Sequence, residues 1–93
     1  MQTLTGNIKE INTDDSVSFP KKILELQMPF GESAFIEFRG TIMTRLLEDF
    51  DQNELVQINI VLQGSISKKS GLFYNNLVAR TIKSVTQKTK DYE

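Results

Sequence analysis

The sequence predicts a mainly β fold, a five-stranded Greek-key barrel with one short helix between strands 3 and 4. Three observations carry this expectation. Apolar and polar residues alternate through several separate stretches, the period of a half-buried strand. Between Thr41 and Phe50 the apolar spacing changes to four, the period of a helix. Short clusters rich in Asn, Asp, Ser, Pro and Gly, residues that favour turns, separate the stretches. With 93 residues, 39% hydrophobic and 25% charged, the chain has the size and composition of one ordinary globular domain. Either half alone would be too small to bury a stable core.

The first strand is read from Leu4 to Ile11, where Leu4, Ile8 and Ile11 are spread among polar residues and Gly6 permits a bend or bulge. Asn12-Thr13-Asp14-Asp15-Ser16 closes the following loop, because these side chains bond to their own backbone in turns. From Phe19 to Met28 a second strand sets Leu24, Leu26 and Met28 on one face, with Lys21, Glu25 and Gln27 on the other beside Ile23. Pro29-Phe30-Gly31-Glu32 turns the chain into a third strand. There Ala34, Ile36 and Phe38 share one face and Phe35, Glu37 and Arg39 the other, so the two strands form a hairpin.

Ile42, Leu46 and Phe50, widened by Met43 and Leu47, form the apolar stripe of a short helix with Thr41 as its N-cap. Val56, Ile58, Ile60 and Leu62 then alternate cleanly as a fourth strand. Ser65 to Gly71 is either the tip of a long hairpin or a loop between strands. A last strand, Leu72 to Val85, places Leu77 and Ala79 one way and Tyr74, Asn76, Val78, Arg80 and Ile82 the other. Strand, strand, strand, helix, strand, strand is the chain order of the oligonucleotide/oligosaccharide-binding (OB) fold. An open α+β sheet with the helix on one face is the competing layout. Residues 1–86 are assigned to the domain and 87–93 to a flexible C-terminal tail.

Composition narrows the chemistry. Zero histidines and zero cysteines remove the commonest general base, disulfides and thiolate metal sites, and no serine is placed for activation by lysine or carboxylate, so a binding module is expected rather than an enzyme. Asp49-x-Asp51-x-Asn53 imitates the start of a calcium loop. The imitation fails at the sixth position, where Glu54 replaces the required glycine, and at the twelfth, where Ile60 replaces glutamate. Gly64 to Ser70 imitates a phosphate loop, but Lys69 stands where a second glycine is needed. No cofactor and no metal are expected. No apolar run is long enough to span a bilayer and no signal-peptide pattern opens the chain, so a cytoplasmic protein without membrane contact is expected.

Eleven basic and twelve acidic residues give a formal charge of −1, without the broad positive field of a strong duplex binder. The charges are unevenly spread. Glu48, Asp49, Asp51 and Glu54 cluster together, whereas Lys68, Lys69, Arg80, Lys83, Lys88 and Lys90 in the last third meet only Asp91 and Glu93.

The block Phe35-Ile36-Glu37-Phe38-Arg39-Gly40 followed by a helix, and the later run Phe73-Tyr74-Asn75-Asn76-Leu77-Val78-Ala79 after a basic turn, resemble a family of small bacterial OB-fold proteins related to single-stranded DNA-binding proteins. The resemblance covers roughly residues 19 to 85. Two features depart from it. This chain has no tryptophan on its strands, and its KDYE ending is not the acidic, phenylalanine-terminated tail with which such binders recruit partners. The resemblance implies single-stranded nucleic acid, with DNA as the first candidate.

Single strands are held by aromatic faces on which bases stack and by cations along the phosphates. Phe35, Tyr74 and Phe73 are the stacking candidates; Lys21, Arg39, Lys68, Lys69 and Arg80 are the phosphate candidates. Each has a plainer role to weigh against this one. Core or cross-strand packing is the commoner role of such rings and stands ahead of stacking for any one of them, while solvating a hairpin tip and meeting phosphate stand level for the lysine pair. The second functional class is a protein-interaction or assembly module, a homodimer or higher oligomer built on exposed strand edges or one barrel face.

Overall fold

A computed structural model describes residues 2–85. The expected tail, 87–93, lies outside the described residues. Five strands follow one another, β1 (Gln2–Thr13), β2 (Lys21–Gln27), β3 (Ser33–Arg39), β4 (Leu55–Ile66) and β5 (Phe73–Ser84), with a short helix α1 (Thr41–Leu46) and a 3₁₀ turn (Leu47–Asp49) between β3 and β4. The strands close into a ring in the order β1-β2-β3-β5-β4, with β4 returning to β1. All neighbours are antiparallel except β3 and β5, which meet in parallel over Ile36↔Leu77 and Glu37↔Val78. A sheet-like α+β layout is therefore replaced by a closed ring, and SISKKSG is the tip of a long β4–β5 hairpin, Ser67 N–H bonding to the Leu72 carbonyl at 2.9 Å.

The alternating residues fill the inside of the ring. Ile8, Leu24, Leu26, Ile36, Phe38, Val56, Ile58, Ile60 and Ala79 are buried together, and Leu47 closes one end. Burial of each large side chain contributes roughly 1.5–3 kcal/mol, which is what fixes strand register, since a one-residue slip would turn the whole apolar set outward.

β1 serves two neighbours by bending. Its first half pairs with β4 and its second half with β2, with a register irregularity between Ile8 and Glu10. The segment after the 3₁₀ turn fills the gap left there: Asn53 N–H bonds to the Ile8 carbonyl at 2.6 Å, Ile8 N–H to the Glu54 carbonyl at 3.0 Å, and the Gln52 amide to the Lys9 carbonyl at 3.0 Å. The Asp49 to Asn53 stretch is thus a turn pinned onto β1. Gly6 is needed for close approach, because a Cβ there would collide with the Gln27 carbonyl of β2.

Several local expectations are corrected. β2 begins at Lys21, and Phe19 is exposed outside it. The helix has Gly40, at φ 93°, as its N-cap position, without a side-chain cap; Thr41 is its first residue. Ile42 is exposed, whereas Met43, Leu47 and Phe50 pack on the core. Ile82 packs on the core as well, opposite Ile58, because a bulge between Asn59↔Thr81 and Ile60↔Ala79 leaves Arg80 unopposed and resets the alternation. Leu62 keeps the core-facing parity yet is 61% exposed, since β4 has run past the end of the ring.

Candidate functional site

β3 and β5 touch over only two residue pairs, and then diverge. The opening between them is a groove of about 420 Å³ lined by Ile23 of β2, Ser33, Ala34, Phe35 and Glu37 of β3, and Asn75, Asn76 and Leu77 of β5. Phe35 stands on the outward face of β3, 58% exposed, because it alternates with the buried Ile36 and Ala34 is turned the other way. The parity set by Glu37↔Val78 gives Asn76 and Tyr74 the same outward face, so Tyr74, 47% exposed, lies on the side of Phe35. Phe73, 81% exposed, lies on the opposite face, beside Ile66.

The predicted cations fall into two groups. Lys21 and Arg39 are opposite each other on β2 and β3, and Glu37 sits between them. Arg39 Nε and Nη2 reach Glu37 Oε1 at 2.8 and 2.6 Å, Lys21 Nζ lies 3.5 Å from the same oxygen and 3.1 Å from Asp14 Oδ2, and Arg39 Nη1 bonds to Gln63 Oε1 at 3.0 Å. Two cations thus face two carboxylates in a locally neutral cluster. Glu37 and Arg39 share one face of β3, whereas Lys21 of β2 and Asp14 of the first loop join them only through the β2–β3 register, which the sequence does not display.

Lys68 and Lys69 form the second group, exposed in the turn that ends the β4–β5 hairpin. Arg80 is exposed at the β5 bulge. The structure therefore brings Phe35, Tyr74, Lys21 and Arg39 to one outward surface, carries Lys68 and Lys69 out on the hairpin, and separates Phe73 from the other rings. Of the groove residues only Phe35 was expected at the site; Asn75 and Asn76 are the amide side chains among the others. Asn76 Nδ2 reaches Ser65 Oγ at 3.3 Å. Their signal was the Asn-Asn pair itself, two amides able to donate and accept beside an aromatic strand.

Beside the first loop, Asp14 accepts from the Ser16 hydroxyl at 2.6 Å and from the Ser16 backbone N–H at 2.9 Å. These bonds, assisted by Lys21, lower its carboxyl to about 2. No helix among the described residues is long and apolar enough to cross a membrane. No protein-family model and no curated protein sequence matches the chain.

Proposed function

We propose that this chain is an OB-type module that binds single-stranded nucleic acid, with DNA as the first candidate. The observation that carries the reading is Phe35, an aromatic ring presented to water on β3 in an open groove that Asn75 and Asn76 of β5 also line, with Asn76 on the ring's own face. A ring offers a base a stacking face, and neighbouring amides offer hydrogen bonds to its edge. Tyr74 extends the aromatic surface along β5.

Two further features support the reading. The ring order with a short helix between β3 and β4 agrees with the OB plan, in which strands 2 and 3 and the loops joining strands 1 to 2 and 4 to 5 make the binding face. In this chain those loops are the Asp14 turn and the lysine-bearing hairpin tip, and the resemblance to small bacterial single-strand binders rests on residues 35–40 of β3 and its exit and on residues 73–79 of β5.

Electrostatics then define what kind of binder it is. Lys21 and Arg39 are neutralised by Glu37 and Asp14, so Lys68, Lys69 and Arg80 remain the cations for phosphate contact. If about three phosphates are met, log affinity falls with log salt at a slope of only about −2. Stacking dominates affinity and the lysines steer the strand. Fluorescence anisotropy with labelled oligo-dT tests this directly. The expected result is saturable binding with that shallow slope, weakened by Phe35→Ala by about 1–3 kcal/mol. Absence of saturable binding at low salt eliminates the proposal, as does full affinity in Phe35→Ala.

A second reading, an assembly module, is favoured by one specific observation: the hairpin beyond the ring exposes Leu62, Ile66, Leu72 and Phe73. It is compatible with the first, since oligomeric binders join short sites into longer ones.

A further inference from the structure

We propose that the free edge of β4, residues 62–66, pairs antiparallel with the same edge of a second copy of this chain, about a two-fold axis at Gly64. The β4–β5 hairpin extends past the ring as a two-stranded arm, and the molecule measures 55 Å along its longest axis against 28 and 22 Å. A two-stranded ribbon with one apolar face in water is marginal by itself. Among the described residues, Val61–Ile66 pair on one side only, with β5, the described β1–β4 pairs running from Asn7↔Leu55 to Gln2↔Ile60. Such an edge presents unpaired N–H and C=O groups.

The usual protections of an edge are missing from this stretch. Val61-Leu62-Gln63-Gly64-Ser65-Ile66 contains no proline and no charge, and the β4–β5 irregularity lies at Asn59/Ile60, before the arm begins. The lack of charge also selects the occupant. A two-fold axis sets every residue near its own copy, so a charged edge would repel itself. Here residues 61–67 and 71–79 carry no charge at all, and Lys68 and Lys69 lie beyond them at the two far ends of the paired arms.

The register follows from the alternation of side chains. Centred on Gly64, the pairing sets Leu62 opposite Ile66 of the second copy and Gln63 opposite Ser65, so apolar residues meet apolar and polar meet polar on their own faces. With the β4–β5 partners added, Leu77, Leu62, Ile66 and Phe73 form a continuous apolar row across the two copies, twice over. Leu62 and Ile66, 61% and 62% exposed in one chain, would then be flanked on both sides. Centring on Gln63 would oppose Ile66 to Ile60, whose edge β1 already occupies, and centring on Ser65 would oppose Leu62 to Lys68. Only the Gly64 axis satisfies both constraints.

Because the chain has no cysteine, a single introduced thiol reads the register. At Gly64 an added Cβ meets Asn75 Oδ1 at 3.7 Å and the Tyr74 carbonyl at 3.9 Å, ordinary contacts, so Gly64→Cys leaves the fold intact. Directly opposed strand residues lie about 4.5–5.5 Å apart at Cα, inside the range a disulfide bridges. The expected results are a dimer in sedimentation velocity for the unaltered chain, and oxidation of Gly64→Cys to a covalent dimer at least about tenfold faster than Glu48→Cys, an exposed site away from the arm. Leu62→Lys should give a monomer with an unchanged circular-dichroism spectrum. A monomer at every concentration, or equal crosslinking at positions 64 and 48, overturns the proposal; a dimer that survives Leu62→Lys assigns the contact to another face and overturns it too.

Discussion

Asp14 owes its place to backbone chemistry and acquires unusual acidity as a result. Its carboxylate accepts two bonds from Ser16 and lies 3.1 Å from Lys21, interactions that are stronger with the ionised form than with the neutral acid. The folded-state value of about 2 lies below the ordinary 3.8. Asp14 therefore favours the folded chain above pH 3.8, and that contribution is lost as pH falls through about 2. Carboxyl carbon NMR should give an Asp14 midpoint near 2 in the native protein, moving toward 3.8 in Ser16→Ala; a native midpoint already at 3.8 would contradict the assignment. Glu37 acts in the opposite sense on its neighbours. Nearly buried between Lys21 and Arg39, it uses charges that their sequence positions offered to a ligand. Charge sign was legible in the sequence, and the pairing of Lys21 with Glu37 and Asp14 was not, because it depends on which elements lie side by side.

At the scale of elements, alternation was the readable signal. Leu24, Leu26, Ile36, Phe38, Val56, Ile58 and Ile60 fall inside the ring as their period-two spacing requires. The signal fails where the geometry departs from a regular strand. The bulge at Arg80 turns Ile82 inward, the ring ends before Leu62, and six helical residues followed by a 3₁₀ turn leave Ile42 outside the buried stripe. None of these departures is marked by a glycine or proline, so nothing local announces them. Gly6 was readable as a special position, although its reason proved to be contact with β2. Gly6→Ala should therefore lower stability by about 1–3 kcal/mol, the usual cost of an overpacked interior site. Urea denaturation checks this, and an unchanged midpoint would show that β1 and β2 do not approach as closely as described.

At the scale of the whole molecule, the ring displays rather than encloses its candidate site. Closing five strands leaves β3 and β5 joined over two residue pairs, and their divergence opens the groove that Phe35, Asn75 and Asn76 line. The long β4–β5 arm adds reach, with Tyr74 on the groove side and two lysines at the tip. The mainly β class and the separation of Phe35 from Ile36 and of Tyr74 from Leu77 onto opposite strand faces could be read from the chain alone; which face meets water, and the groove, could not, since both depend on strands separated by some forty residues of sequence. Binding at this surface is best followed residue by residue. In ¹H–¹⁵N correlation spectra titrated with oligo-dT, shifts should concentrate at Phe35, Tyr74, Asn75, Asn76, Lys68 and Lys69, leaving α1 and the Asp51–Glu54 turn still. Shifts confined to α1 and that turn, or no shifts at all, would contradict single-strand binding in the groove.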